Sequence, residues 1–366
     1  MGEPLKDIYG DMFLYDFGYK INAVYSNFNP NSFVTAVMDN NWDKLPLKSR
    51  MRRISEILRQ YLPMGYEEAL DVLFAIDKTC IGFPYLFFPD FVAVYGLSEE
   101  HWDLSIKALE RFTQRSSSEF AIRVFLLRDP NRVMSRMMIW SKHPNEHVRR
   151  LASEGCRPRL PWGAAIPIFK SDPSPVLAIL EQLKADPSLY VRKSVANNLN
   201  DISKDNPSVV LDTAQKWIGV HPYTDWILQK GCRTLIRKGN SEAMKLFGYT
   251  SFTDKVLIGT GASISVRPPK LKIGESCELQ YELNIPKGDP VHIRIEYGID
   301  FVKARRGNSR KLFLLSDKMI TGGTHFSGIR THNFKDLTTR RHYPGDHQIT
   351  LLINGQEIAR TILKIT

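Results

Sequence analysis

No cysteine in this chain of 366 residues has a close sequence neighbour. Cys80, Cys156, Cys232 and Cys277 lie far apart, with no C-x-x-C pair. That spacing argues against a structural zinc site or a disulfide framework and for a reducing compartment. Long apolar runs are also missing: the longest, Ile81 to Leu97, is interrupted by Pro84, Pro89 and Asp90, so no membrane span is expected. The chain opens without a charged-then-apolar signal segment, and Lys6 stands where a myristoylation signal carries Ser or Thr. A soluble, cytoplasmic protein is expected. Nor is there a phosphate-binding loop: GTGAS at 259–263 lacks the lysine and the following helix. No nucleophile elbow and no H-E-x-x-H occur, and the nine histidines are scattered without ligand spacing. These are expected to be caps or surface residues. Neither a metal nor another cofactor is expected.

What the chain does have is positive charge. Fifty Lys and Arg face 39 Asp and Glu, for a net charge of +11. Seven of those excess charges fall on residues 251–366. Such a balance suggests a polyanionic partner, most often nucleic acid.

The first 250 residues have helical periodicity. In Leu47 to Leu62, the residues Met51, Ile54, Leu58 and Tyr61 form an apolar stripe, with Arg52, Arg53 and Arg59 mostly off it. FPYLFFPDFVAVYG, Phe83 to Gly96, reads as core. From residue 129 a pattern recurs, opened by Asp129-Pro130, His143-Pro144, Asp186-Pro187 and His221-Pro222. HPNEHVRRLASEG from His143 aligns with DPSLYVRKSVANN from Asp186, placing Val148 and Val191 43 residues apart. A third copy, HPYTDWILQKGCR, begins at His221. Paired helices at this period predict an α-solenoid of HEAT type. After Tyr249 the period changes to two. Runs such as Glu278–Leu283 and Val291–Tyr297 alternate, and Asn354-Gly355 is a hairpin signal. The expected architecture is multi-domain: an all-α HEAT-like solenoid over residues 1–250, then an all-β immunoglobulin-like sandwich over 251–366.

One stretch stands out chemically. HVRRLASEGCRPRLPW, His147 to Trp162, sets a single carboxylate, Glu154, among Arg149, Arg150, Arg157 and Arg159. Arg150 and Glu154 share a helix face. An ordinary salt bridge beside an aromatic plug would explain this. The alternative is a carboxylate retained on a phosphate-facing surface because chemistry needs it. In the repeat alignment Glu154 matches Asn197 and Cys232, while Arg150 matches Lys193, so the basic position recurs and the acidic one does not. Asp201, one turn beyond Asn197, is a second candidate.

This block, with FAIRVFLLRDPNRVMSRMMIWSK before it (Phe120 to Lys142) and DPSLYVRKSVANNLNDISKDNP after it (Asp186 to Pro207), resembles the bacterial AlkC family of DNA glycosylases. These are HEAT-like repeat proteins related to AlkD. LPLKSRMRRISEILRQYLP, Leu45 to Pro63, resembles the family's N-terminal half, and TTRRHYPGDH, Thr338 to His347, the immunoglobulin-like domain of one subgroup. The resemblance implies excision of 3-methyladenine and 3-methylcytosine from double-stranded DNA without a tight base-flipping pocket. An N3-methylated base already carries positive charge, so it leaves without being protonated. What remains is to stabilise an oxocarbenium-like sugar and admit water, as carboxylates do for glycosides. Glu154 suits that role, and Trp162 can lie against the sugar or the cationic base. Arg149, Arg150, Arg157, Arg159, Lys193 and Asn197, with Arg233 one repeat on, suit phosphates beside the lesion. In the last domain, Arg305, Arg306, Arg340 and Arg341 are either solvated loop residues or a second grip on the backbone. A monomer is expected. The competing readings are a DNA-binding scaffold without activity and a peptide-binding solenoid.

Overall fold

The computed structural model describes residues 5–250, 260–304, 307–337 and 340–366. Among them, α-helices run from Asp11 to Leu246 and eight β-strands from Thr260 to Ile365. No helix of the described residues is long and apolar enough to cross a membrane.

Pro130 and Pro222 open their helices as the sequence implies, whereas the helices after Pro144 and Pro187 begin two residues later, at Glu146 and Leu189. Asp129 accepts from the Arg132 amide at 3.0 Å ahead of the helix Pro130–Trp140. Asn145 accepts from the His147 amide at 2.9 Å ahead of Glu146–Gly155, and Ser188 from the Tyr190 amide at 3.2 Å ahead of Leu189–Ile202. Each cap satisfies one amide left open by the first helical turn. Even the partner contacts repeat at the 43-residue period. Arg149 donates to the carbonyls of His143 and Pro144, as Arg192 does to those of Asp186 and Pro187. Leu47–Tyr61 buries Met51, Ile54 and Leu58 as expected. Its arginines are not left to solvent: Arg52 grips Asp90 through two bonds of 2.8 and 2.9 Å, and Arg53 reaches Asp39 at 2.8 Å. Phe87–Tyr95 is core over most of its length.

The strands are β1 (Thr260–Arg267), β2 (Lys270–Leu271), β3 (Ser276–Asn284), β4 (Val291–Val302), β5 (Asn308–Ile320), β6 (His325–Asn333), β7 (Gly345–Ile353) and β8 (Gln356–Ile365). They form a three-stranded sheet, β1-β3-β6, and a five-stranded sheet, β2-β8-β7-β4-β5. Leu279, Leu283, Ile295, Ile299, Phe334, Ile349 and Leu351 fill the core of this sandwich. Asn354 (φ 47°) and Gly355 (φ 81°) turn β7 into β8, with the two left-handed positions that Asn-Gly supplies best. β6 and β8 were not singled out from the alternation. β6 carries polar residues on both faces, so its pattern is faint. The histidines differ from expectation here. His332, His342 and His347 are buried around Phe301 and Phe334, neither caps nor surface residues.

The last described helix ends at Leu246 and the first strand begins at Thr260, but the compact units divide elsewhere. One comprises residues 1–206 and 217–231, and the other 207–216 and 232–366. Within the second unit, Tyr249 donates to Asp317 at 3.0 Å and stacks on His292, and the Asn354 side chain donates to the Thr250 carbonyl at 3.1 Å. Gly239 meets Gly355 so closely that a Cβ on Gly239 would lie 2.9 Å from the Gly355 Cα.

Candidate active site

Glu154 ends up in the last turn of Glu146–Gly155, where it is buried. Gly155 follows because that position has no room: a Cβ would lie 2.7 Å from the Ile122 side chain and 2.9 Å from Met137. A polar seam fixes the helix to its repeat neighbour. Ser153 Oγ bonds Ser194 Oγ at 2.7 Å, and Asn198 donates to the Ser153 carbonyl at 2.8 Å. The carboxylate's height and direction are therefore set by two helices.

Arg157 Nη1 donates to Glu154 Oε1 at 2.6 Å, and its Nε donates to Asp201 Oδ2 at 2.8 Å. Lys204 holds the other oxygen of Asp201 at 2.8 Å. Burial opposes the charge on Arg157, but Glu154 and Asp201 more than offset it and raise its pKa above the ordinary arginine value. Arg150 spans a second pair. It lies 2.6 Å from Glu119 Oε2 and 3.6 Å from Glu154 Oε1, with its guanidinium 4.6 Å from the Tyr190 ring centre. Both arginines meet Glu154 through Oε1, and neither donates to Oε2. One oxygen is thus fixed while the other is not held by them.

These groups line a cavity of about 600 Å³. Glu119, Glu154, Arg150, Arg157, Tyr190 and Trp162 are on its wall, as are Phe83, Arg115, Phe120 and His147. Glu154 is not the lone carboxylate the local sequence suggested. Asp201 does not line the cavity; it is bound to Arg157 and Lys204. Arg149 is held by Asp186 through bonds of 2.7 and 3.1 Å, and Arg159 by Asp205. Lys193 is exposed, and Asn197 is half-buried on the same helix. Arg233, half-buried, opens the helix Arg233–Arg237 in the second unit. Arg340 packs over the Phe301 ring at 4.6 Å, and Arg341 is exposed. Arg305 and Arg306 lie outside the described residues.

Trp162 is displayed in an unusual way. Leu160-Pro161-Trp162-Gly163 closes with the Gly163 amide on the Leu160 carbonyl at 3.0 Å, and Trp162 has φ 62°. Pro in the second position and positive φ in the third are the marks of a type II turn, whose third position ordinarily takes glycine. A bulky residue there costs on the order of 1–3 kcal/mol. Trp162 is nonetheless 61% exposed, so core packing does not repay that cost. Arg123 anchors the loop from inside, donating to the carbonyls of Gly155, Arg157 and Ala164 at 2.9, 2.7 and 2.6 Å. Burial brings its pKa down to about 10.

Glu119, Arg115, Arg123 and Tyr190 were missed from the sequence. Tyr190 had a signal: it stands 43 residues after His147, and the two rings are 5.4 Å apart. Glu119 had none, since it follows three serines on a turn that no periodicity ties to Glu154.

The chain thus joins a helical-repeat unit with a carboxylate-lined cavity to a β-sandwich, and comparison with known proteins finds the same combination. Residues 260–366 match the family described as "Uncharacterised protein YhaZ, C-terminal Ig-like domain". The Bacillus subtilis (strain 168) protein described as "Uncharacterized protein YhaZ" is 47% identical over 96% of both chains. The solved structure of Pseudomonas fluorescens alkylpurine DNA glycosylase AlkC, bound to DNA containing an abasic site analogue, superposes over 100% of both chains with a TM-score of 0.92 at 37% identity. The chain belongs to the AlkC family of bacterial DNA glycosylases, in the subgroup that carries an immunoglobulin-like domain.

Proposed function

We propose that this protein hydrolyses the N-glycosidic bond of N3-alkylated bases in double-stranded DNA, 3-methyladenine and 3-methylcytosine among them. The observation that carries the reading is the pair Glu154 and Glu119, bridged by Arg150 and facing one cavity. It is joined by the P. fluorescens relative, an alkylpurine DNA glycosylase bound to DNA containing an abasic site analogue.

The lesion supplies its own leaving group, a cationic base that departs neutral. Positive charge then develops on the sugar, and a fixed carboxylate lowers the barrier because it need not reorganise. Arginines hold Oε1 of Glu154, so its Oε2 faces the oxocarbenium and orients the attacking water. Glu119 adds negative potential on the other side of Arg150. Asp201 acts through Arg157 as a positioning residue. Trp162 lies against the sugar or the cationic base, where its ring quadrupole favours positive charge by roughly 0.5–2 kcal/mol. No lysine is among the described residues that line the cavity of about 600 Å³, which supports plain hydrolysis over a Schiff-base route.

Arg150 and Arg157 are occupied by carboxylates, so phosphate contact at the cavity falls to Arg115, which makes no ion pair among the described residues. Lys193 and Asn197 are further phosphate contacts of the helical unit, and Arg233, Arg340 and Arg341, with Arg305 and Arg306, are those of the second unit. The protein acts as a monomer in the bacterial cytoplasm.

The test is release of 3-methyladenine from methylated duplex DNA by the purified chain beside Glu154→Ala. Wild-type release that falls by about a hundredfold or more in the variant, with DNA binding kept, is expected. Binding without release by either would leave a scaffold.

A further inference from the structure

Trp162 keeps a left-handed backbone on an exposed turn, and one contact reaches that turn from far along the chain. Lys48, in the first turn of Leu47–Tyr61, donates from Nζ to the Trp162 carbonyl at 2.7 Å. The same ammonium lies 4.8 Å from the centre of the Phe120 ring, which is a wall of the cavity next to Glu119. Lys48 makes no ion pair among the described residues. One cation therefore joins the turn that displays the indole to the segment that carries the second carboxylate. A charged donor gives a hydrogen bond roughly twice as strong as a neutral one. The bond ties the peptide that follows Trp162 to the helix Leu47–Tyr61. Arg123 hydrogen-bonds both flanks of the loop and packs its side chain against Gly163, but it bonds no carbonyl of the turn itself.

We propose that Lys48 is a positioning residue for Trp162: its ammonium holds the strained turn and so fixes the indole relative to Glu119 and Glu154. The inference rests on the glycosylase reading only for its effect on rate. Its effect on the turn stands apart.

The full-length chain labelled with 5-fluorotryptophan has six tryptophans, and the Trp162 resonance is assigned by its loss in Trp162→Gly. Lys48→Met is expected to move that resonance and leave the other five in place, and Lys48→Arg to restore it. An unmoved resonance in Lys48→Met overturns the proposal whether or not the chain is active. In single-turnover base release, Lys48→Met should slow the step by about 10- to 100-fold, the usual cost of a small misplacement. DNA affinity should hold, Lys48→Arg should recover most of the rate, and Trp162→Gly with Lys48→Met should lose no more than Trp162→Gly alone. Losses that multiply would overturn the proposal and assign Lys48 to the DNA directly. Absence of release by the wild type would sink the glycosylase reading, with the resonance still deciding the role of Lys48.

Discussion

The helical unit and the sandwich both carry excess arginine and lysine, and they use it differently. In the helical unit arginines are bound to carboxylates: Arg149 to Asp186, Arg150 to Glu119, Arg157 to Glu154 and Asp201, Arg159 to Asp205. In the sandwich, among the described residues, Arg294 and Arg310 make such pairs, Arg340 lies over Phe301, and no lysine makes one. Formal charge is therefore a poor guide to charge available for a partner. The helical unit pairs its arginines with buried and half-buried acids. The sandwich buries Arg294 against Glu296 and leaves Arg341 exposed.

The largest test of that contrast sets Glu154 against Asp201. Glu154→Gln should lower single-turnover base release by about 10²–10³-fold, the range for removing one preorganised electrostatic partner. Asp201→Asn should act first on stability, by roughly 1–3 kcal/mol in urea unfolding, because it leaves Arg157 short of a buried acceptor. Equal effects on release at equal stability would put Asp201 in the chemistry.

Next comes acid. Burial lowers His332 from 6.5 to about 4, and burial lowers His342 and His347 too. Folded values below the unfolded one mean that the unfolded chain binds more protons. The stability these rings contribute is complete above pH 6.5 and is lost as pH falls towards 4. Hydrogen exchange in β6 and β7 should therefore speed up over that window. Loss of protection in the helices first would contradict it.

Two smaller effects follow. Trp162→Gly should leave stability unchanged or raise it by about 0.5–1 kcal/mol, since glycine takes the left-handed position without strain, while base release falls. Arg115→Ala and Arg341→Ala should each reduce the salt dependence of DNA binding by about one phosphate contact. A flat response at Arg341 would restrict phosphate contact to the helical unit.

The repeat and the Asn-Gly hairpin were legible in the sequence, the first because aligned copies recur 43 residues apart and the second because two adjacent residues write it. Glu154 was legible because it is flanked by its own arginines at short spacing. Glu119, Arg123 and Lys48 were not. They act across 31 to 114 residues, through Arg150, the carbonyls of residues 155–164 and Trp162. Periodicity does not encode such contacts. The acids that hold Arg150 and Arg157 lie a turn away (Glu154), 31 residues before (Glu119) and in the next repeat (Asp201), so charge counted along the sequence does not show that these arginines are paired.

The division of the chain has one more consequence. The backbone passes from one compact unit to the other at 206/207, 216/217 and 231/232. A single cut after residue 250 would strip the sandwich from residues 232–250, which belong to its unit. It would also strip residues 207–216 from that unit, while every residue of the helical unit stayed on one fragment. Separating the two cleanly takes three breaks.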